Sequence, residues 1–224
     1  MTLPSLDRTQ PNGGAAPASE GWFDNGPTRA LDRDECGSRF SGRRGPSITF
    51  LSACIEITDL TAIRALTFEL YRELLDTMAR LDVPRFVRIW NYIPDINAGS
   101  DDAECYRQFC WGRAEALEDY SLPAATGVGS KDGWLRISAL CTGAADLPDS
   151  IGIEHLENVR QVSAYNYPRD YGPRSPSFAR ATLVSPAPTP NAAAADPSPQ
   201  SLLLVSGTSS IAVSYTHLTL PTKA

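Results

Sequence analysis

Ser47-Ile-Thr-Phe-Leu-Ser-Ala-Cys-Ile-Glu-Ile57 leads into Ile63, Leu66, Leu70, Leu74, Met78 and Leu81, and then into Arg85-Phe-Val-Arg-Ile-Trp-Asn-Tyr-Ile93; this passage decides the fold. The first run is β-branched and apolar enough for a buried strand, and the last alternates as a strand does. Between them the apolar residues recur at three- and four-residue steps, which predicts a helix with one apolar stripe. Thr58 or Asp59 can cap its start, and Val83-Pro84 ends it. A helix with such a stripe must cover a sheet, so the passage reads as a β-α-β unit in an α+β chain.

Working outward, a second helix is expected after Ser100. Asp101, Asp102 and Glu104 lie near its positive end, and it runs through Tyr106, Phe109, Trp111, Arg113 and Leu117 to about Tyr120. Ala124 to Gly129 and Trp134 to Cys141 read as two strands, joined by a hairpin-type turn at Lys131-Asp132-Gly133. Arg160 to Tyr167, Phe178 to Val184 and Ser201 to Ser206 supply three more short strands. Ser185 to Gln200 is rich in Pro and Ala and reads as a disordered hairpin loop, an insertion between the last two strands. Residues 1–46 are rich in Pro, Gly, Ser, Asp and Arg without apolar period, and are expected to be mostly disordered and free of chemistry.

The chain has 224 residues, 42% of them apolar, and a formal charge of −6. That balance argues against a nucleic-acid binder and against a membrane-surface binder, because phosphate needs a basic face. An anionic ligand would need a local arginine cluster. No apolar run reaches the roughly 18 residues of a membrane span, and the start lacks a signal-peptide pattern. Five cysteines without a CxxC pair suit reduced thiols and a cytoplasmic protein. Only His155 and His217 are present, so histidine-ligated metals and histidine-activated nucleophiles are disfavoured.

Gly127-Val-Gly129-Ser-Lys-Asp-Gly133 misses the GxGxxG spacing, and no helix is expected after it, so a dinucleotide loop is set aside. Cys105 and Cys110 lie five apart on one helix and point in different directions, as packing residues rather than a metal pair. The window from Arg160 to Arg180 reverses the chain's sign: Arg160, Arg169, Arg174 and Arg180 face one acid, Asp170, and are interleaved with Tyr165, Tyr167 and Tyr171. Converging guanidinium groups would make a pocket for a dicarboxylate. A solvated loop with surface ion pairs has the same composition.

Five ordered blocks carry a family resemblance: Trp90-Asn-Tyr-Ile-Pro-Asp-Ile-Asn97, Tyr106-Arg-Gln-Phe-Cys-Trp-Gly-Arg-Ala-Glu-Ala-Leu117, Arg160-Gln-Val-Ser-Ala-Tyr-Asn-Tyr-Pro168, Tyr171-Gly-Pro-Arg-Ser-Pro-Ser-Phe-Ala-Arg-Ala181 and Ser206-Gly-Thr-Ser-Ser-Ile211. They resemble the signature blocks of chorismatases, some of which carry the older label pteridine-dependent deoxygenase; nothing in this sequence points to a pterin site. The resemblance covers roughly Ser47 to Ile211, and residues 1–45 match it poorly. It implies two RidA-type (YjgF, chorismate-mutase-like) halves, each a sheet backed by helices and both incomplete: 47–120, then 121–211 with the insertion at 185–200.

The resemblance also implies chemistry. Chorismate has two carboxylates and an enol ether to pyruvate, so the enzyme would hold two charges and protonate the enolpyruvyl methylene carbon. Neither a metal nor a redox cofactor is required. By the family pattern Arg113, Arg174 and Arg180 are carboxylate or structural anchors, Tyr106, Tyr165 and Tyr171 are hydrogen-bonding walls, and Thr208 and Ser209 are product-steering positions. Trp90, Tyr92 and Phe109 read better as core residues.

After Ile211 the family continues into a glycine-histidine-glutamate stretch, whose glutamate is the expected general acid, and a closing helix. Here residues 212–224 instead resemble a translated sequencing-adapter tail, which sets His217 aside. A catalytically weak fragment is therefore the expectation, with the small molecule chorismate as its partner and a monomer as one possible state. The rivals are a non-catalytic RidA-like carboxylate binder and an imine hydrolase of the same fold.

Overall fold

The computed structural model describes residues 28–143, 151–186 and 201–207. Thr49–Glu56 forms β3, Ile63–Arg80 forms α2 and Arg85–Pro94 forms β4, so the passage quoted above folds as read. The Asp59 carboxylate accepts from the Thr61 amide at 2.9 Å and caps the 3-10 turn that opens the helix. At the other end Asp82 takes a left-handed conformation at φ 54°, which lets Val83 N donate to Met78 O and Asp82 N to Ala79 O. These two bonds make a Schellman closure before Pro84.

β3 and β4 are parallel to each other but do not touch. Trp134–Thr142, β6, lies between them and runs antiparallel to both. Ala124–Ser130, β5, pairs parallel with the far edge of β4. The expected hairpin of β5 with β6 is therefore corrected: the Asp132-Gly133 turn, with Gly133 at φ 73°, steps the chain across the end of β4. Alternation had marked which face each residue shares, and it carries no information on which strand lies next door.

The sheet also takes in part of the N-terminal segment. Arg29–Ala30 (β1), Arg33–Cys36 (α1) and Phe40–Arg44 (β2) extend it to the order β1-β2-β3-β6-β4-β5. Leu31, Cys36 and Phe40 are buried in the common core, so residues 28–46 are not the loose segment that their composition predicted. Three apolar anchors spaced among polar residues were enough to hold it.

α2 and Cys105–Ala116, α3, cover one face of this sheet. Leu51, Ala53, Ile89, Ile93, Leu135, Ile137 and Ala139 point into that layer and are buried. Phe109 joins the core as expected. Trp90 and Tyr92 do not: they project from the other face of β4, Trp90 half-buried and Tyr92 exposed.

A second sheet, β7-β8-β9, is formed by Ile151–Leu156, Ala181–Pro186 and Leu202–Val205, all antiparallel. The sheets divide the chain between 142 and 151, not after residue 120. Arg160 to Tyr167 is not a strand. Its amides bond locally, Asn166 N to Ser163 O and Tyr167 N to Ala164 O, and the strand lies earlier at β7. β8 and β9 form the expected hairpin, while most of the connection between them lies outside the described residues. Among the described residues no helix is long and apolar enough to cross a membrane.

Candidate functional site

The site is built on a close helix contact. A Cβ on Gly112 would lie 2.2 Å from Arg64 O, so only glycine lets α3 approach α2 this closely. The next residue, Arg113, is 3% exposed, and its Nε donates to Tyr71 Oη at 2.8 Å. Tyr71 donates onward to Asn91 Oδ1 at 2.5 Å, and Asn91 Nδ2 donates to Thr126 O at 3.1 Å. Burial pushes the Tyr71 phenol up despite the adjacent guanidinium, which keeps it protonated and able to donate. Arg113 Nη1 donates to the carbonyl of Ser177 in the second region, and its buried Nη2 has no partner among the described residues.

From the second region Arg180, 6% exposed, reaches the same wall. Its Nη2 donates to Val162 O and to Tyr167 Oη, both at 2.7 Å. Tyr167 packs on Tyr171 with ring centroids 5.6 Å apart. Tyr106 completes the arrangement from α3. Burial, then the nearby Cys110 thiol, pushes its phenol well above the ordinary range, and both Arg113 and Tyr167 lie close enough to act on it. Cys110 is itself pushed up to about 12 and Cys105 to about 11, in both cases chiefly by burial, so both are neutral packing thiols as read from their spacing.

The arginine-rich window thus divides. Arg180 is buried, but Arg169 forms a bidentate pair with Asp102, and Arg174, its side chain 49% exposed, pairs with Glu118 at 3.5 Å. Arg160 is exposed, as are Tyr165 and Tyr171 at 44% and 52%. The structure brings together Arg113, Tyr106 and Arg180; it leaves Arg174, Tyr165 and Tyr171 at the surface. Thr208 and Ser209 lie outside the described residues.

Sequence reasoning gave no role to Tyr71, Asn91 or Arg88, and it named Tyr167 only as one of the tyrosines in the arginine-rich window. Tyr71 interrupts the α2 stripe one turn after Thr67, and two polar side chains on a buried helix face were the available signal. Arg88 stands between apolar residues of β4 and is 6% exposed. Its Nη2 donates to Thr126 Oγ1, which also accepts from Gly207 N at 3.2 Å. Next to it, Ser206 Oγ accepts from Ala125 N at 2.8 Å and donates to Ala179 O at 2.6 Å. The start of the Ser206-Gly-Thr block is therefore fastened to the edge of β5.

One glycine of β5 has a packing reason: a Cβ on Gly129 would fall 2.7 Å from Ile96 Cγ2. No helix follows β5, which removes the dinucleotide reading. A shallow groove between α2 and α3 includes Arg64, Phe68 and Gln108. Arg64 there is stacked 3.7 Å over Trp111 and paired with Glu115 at 2.5 Å, so it offers a ligand no uncompensated charge. Among the described residues no group of three or more His, Cys, Asp or Glu could hold a metal ion.

Residues 20–141 match the family model described as chorismatase FkbO/Hyg5-like, N-terminal. The chain belongs to the chorismatase family. Within it, a 3-hydroxybenzoate synthase of Streptomyces hygroscopicus is 48% identical over 103 residues, 43% of this chain and 28% of the relative. A chorismatase of Streptomyces rapamycinicus is 33% identical over 174 residues, 75% of this chain and 48% of the relative. A chorismatase crystal structure superposes with a TM-score of 0.60 at 29% identity, over 75% of this chain and 47% of that one. The chain spans less than half the length of the curated relatives it matches. The match from residue 20 corrects the expectation of a poor fit for residues 20–45 and leaves residues 1–19 outside it.

Proposed function

We propose that the protein acts on chorismate and releases pyruvate, leaving a hydroxybenzoate by elimination or, with water, a dihydroxycyclohexadiene carboxylate. The observation that carries this is Arg113, buried at the seam of the two regions with an Nη group unpartnered, beside Tyr106, whose phenol also lies near Tyr167, the hydrogen-bond partner of Arg180. Guanidinium groups hold carboxylates bidentately and stay charged at any working pH, which suits a substrate with two carboxylates. Tyr106, kept protonated by its surroundings, serves as a neutral hydrogen-bond donor in that wall. Arg174, Tyr165 and Tyr171 would act from the rim.

The step that breaks the enol ether is protonation of the methylene carbon, for which a carboxylic acid with a raised pKa is the suitable donor. The fold perturbs the carboxyl groups of Glu35, Asp59, Asp102, Glu115 and Asp132, and it makes every one of them a stronger acid. None of these could be the donor at neutral pH. As the family resemblance implies, the reading takes the donor from outside the described residues, the two sheets as parts of RidA-like halves, and the 224-residue polypeptide as weak in turnover.

A coupled pyruvate assay on this polypeptide, and on a longer reading frame that includes it, tests both parts. Pyruvate release by the longer form alone is the expected result. Ordinary turnover by the shorter one would overturn the placement of the donor. Carboxylate binding without pyruvate from either form would favour a non-catalytic carboxylate binder.

A further inference from the structure

Arg88 is the buried cation that the proposed chemistry leaves unused. It is 6% exposed, forms no ion pair among the described residues, and its Nη1 is buried with no hydrogen-bond partner. Burial lowers its proton affinity, and among the described residues no neighbouring carboxylate works the other way. Arginine does not relieve such a position by deprotonating, and an uncompensated buried guanidinium is strongly unfavourable. Thr126 Oγ1 already accepts from Arg88 Nη2 and from Gly207 N, so the threonine proton is free to be given away. The Trp90 ring, half-buried on the same face of β4, lies 5.4 Å from the guanidinium carbon.

We infer that Arg88 Nη1 and the Thr126 hydroxyl, flanked by the Trp90 ring, form a receiving site for the carboxylate of a small ring acid. The inference deepens the function proposed above and rests on it for the choice of ligand, while the receptor rests on the two unmatched donors. A carboxylate placed there accepts from both donors and supplies the charge that Arg88 lacks. The adjacent indole gives a flat acid a surface to stack on.

The test uses 3-hydroxybenzoate as the probe and its methyl ester as the uncharged control, titrated into the 224-residue chain while the arginine side-chain nitrogen signals are followed by NMR. A saturable shift of the Arg88 signals with the acid, absent with the ester, is the expected result. Arg88→Gln, compared at matched folding by thermal melting, should weaken the acid by roughly tenfold or more, the loss of one charge-assisted pair. Unmoved Arg88 signals at tens of millimolar acid, or equal affinity in a folded Arg88→Gln variant, would overturn the site. If that variant does not fold, the wild-type signals decide alone. Pyruvate release is scored separately: a shift without pyruvate in the longer form counts against the proposed reaction and not against this site, and pyruvate without a shift counts the other way.

Discussion

Residues 28–143 and residues 151–207 belong to one chain but are held by different forces. In the first, two helices close over a six-stranded sheet, and the residues between the layers form a continuous apolar core. In the second, a three-stranded sheet leaves Leu203 and Val205 more than half exposed on β9. Phe178 and Ala164 join the core of the first region, and the rest of its fastening is polar. Thr182 Oγ1 accepts from Ala124 N at 2.9 Å, Ser206 Oγ from Ala125 N, and Arg113 donates across to Ser177 O. The difference bears on where the proposed site lies. A seam made of satisfied backbone groups and guanidinium donors can be opened to a ligand at far lower cost than a packed apolar layer.

The sharpest way to break this comparison is to cut each region at its centre. Ile137 is fully buried on β6, and Ile137→Ala should cost about 2–5 kcal/mol in chemical denaturation. Leu203→Ala should change stability by less than about 0.5 kcal/mol, since the side chain is half in water already. Equal losses at the two positions would mean that the second region carries a core of its own.

A smaller effect is expected from Gly112→Ala, which forces a Cβ against Arg64 O and should cost about 1–3 kcal/mol. Its diagnostic consequence is remote. Because Arg113 is carried by the same turn, amide exchange at residues 177–182 should quicken even where α2 and α3 remain protected. Protection of those amides unchanged would show that Arg113 does not tie the regions together. At the seam itself, Ser206→Ala leaves Ala125 N and Ala179 O without their partner and should also cost about 1–3 kcal/mol, with exchange at Ala125 rising most.

The fold of the first region was largely legible because the signals were local: a stripe every three or four residues, an alternating strand, an Asp at the helix start, a Pro after its end. The position of β6 between β3 and β4 was not, since pairing is decided by sequence-distant partners. In the second region the alternation of Arg160 to Tyr167 was misleading, because a Tyr-Asn-Tyr-Pro run can satisfy its backbone in local turns. The site was half legible. Arg113, Tyr106 and Arg180, which lie together as candidates, were named through the family blocks, whereas Tyr71 was hidden within an apolar stripe and Arg88 within a strand. In each of these two, burial rather than residue type makes the group important, and sequence reports burial only through its neighbours.

The weakest fastening should be the one that acid can undo. Arg169 grips Asp102 with both guanidinium arms, joining the 3-10 turn at Arg169–Tyr171 to the start of α3. The Arg169 hydrogen bonds hold the Asp102 carboxyl below its ordinary value. For a group depressed in the folded state, the stabilisation is fully present above the unfolded pKa, near 3.8, and is lost as pH falls through the lower folded value. Acidification below about pH 4 should therefore loosen residues 169–171 before the buried core responds. Asp102→Asn should produce the same loosening at neutral pH and remove its acid dependence. The pair is exposed and screened by salt, so a change confined to backbone NMR signals of residues 169–172 is expected, with little change in the melting temperature. An equally acid-labile turn in Asp102→Asn would transfer the effect to another carboxylate, and a fall in global stability as large as that of Ile137→Ala would erase the distinction between core and seam.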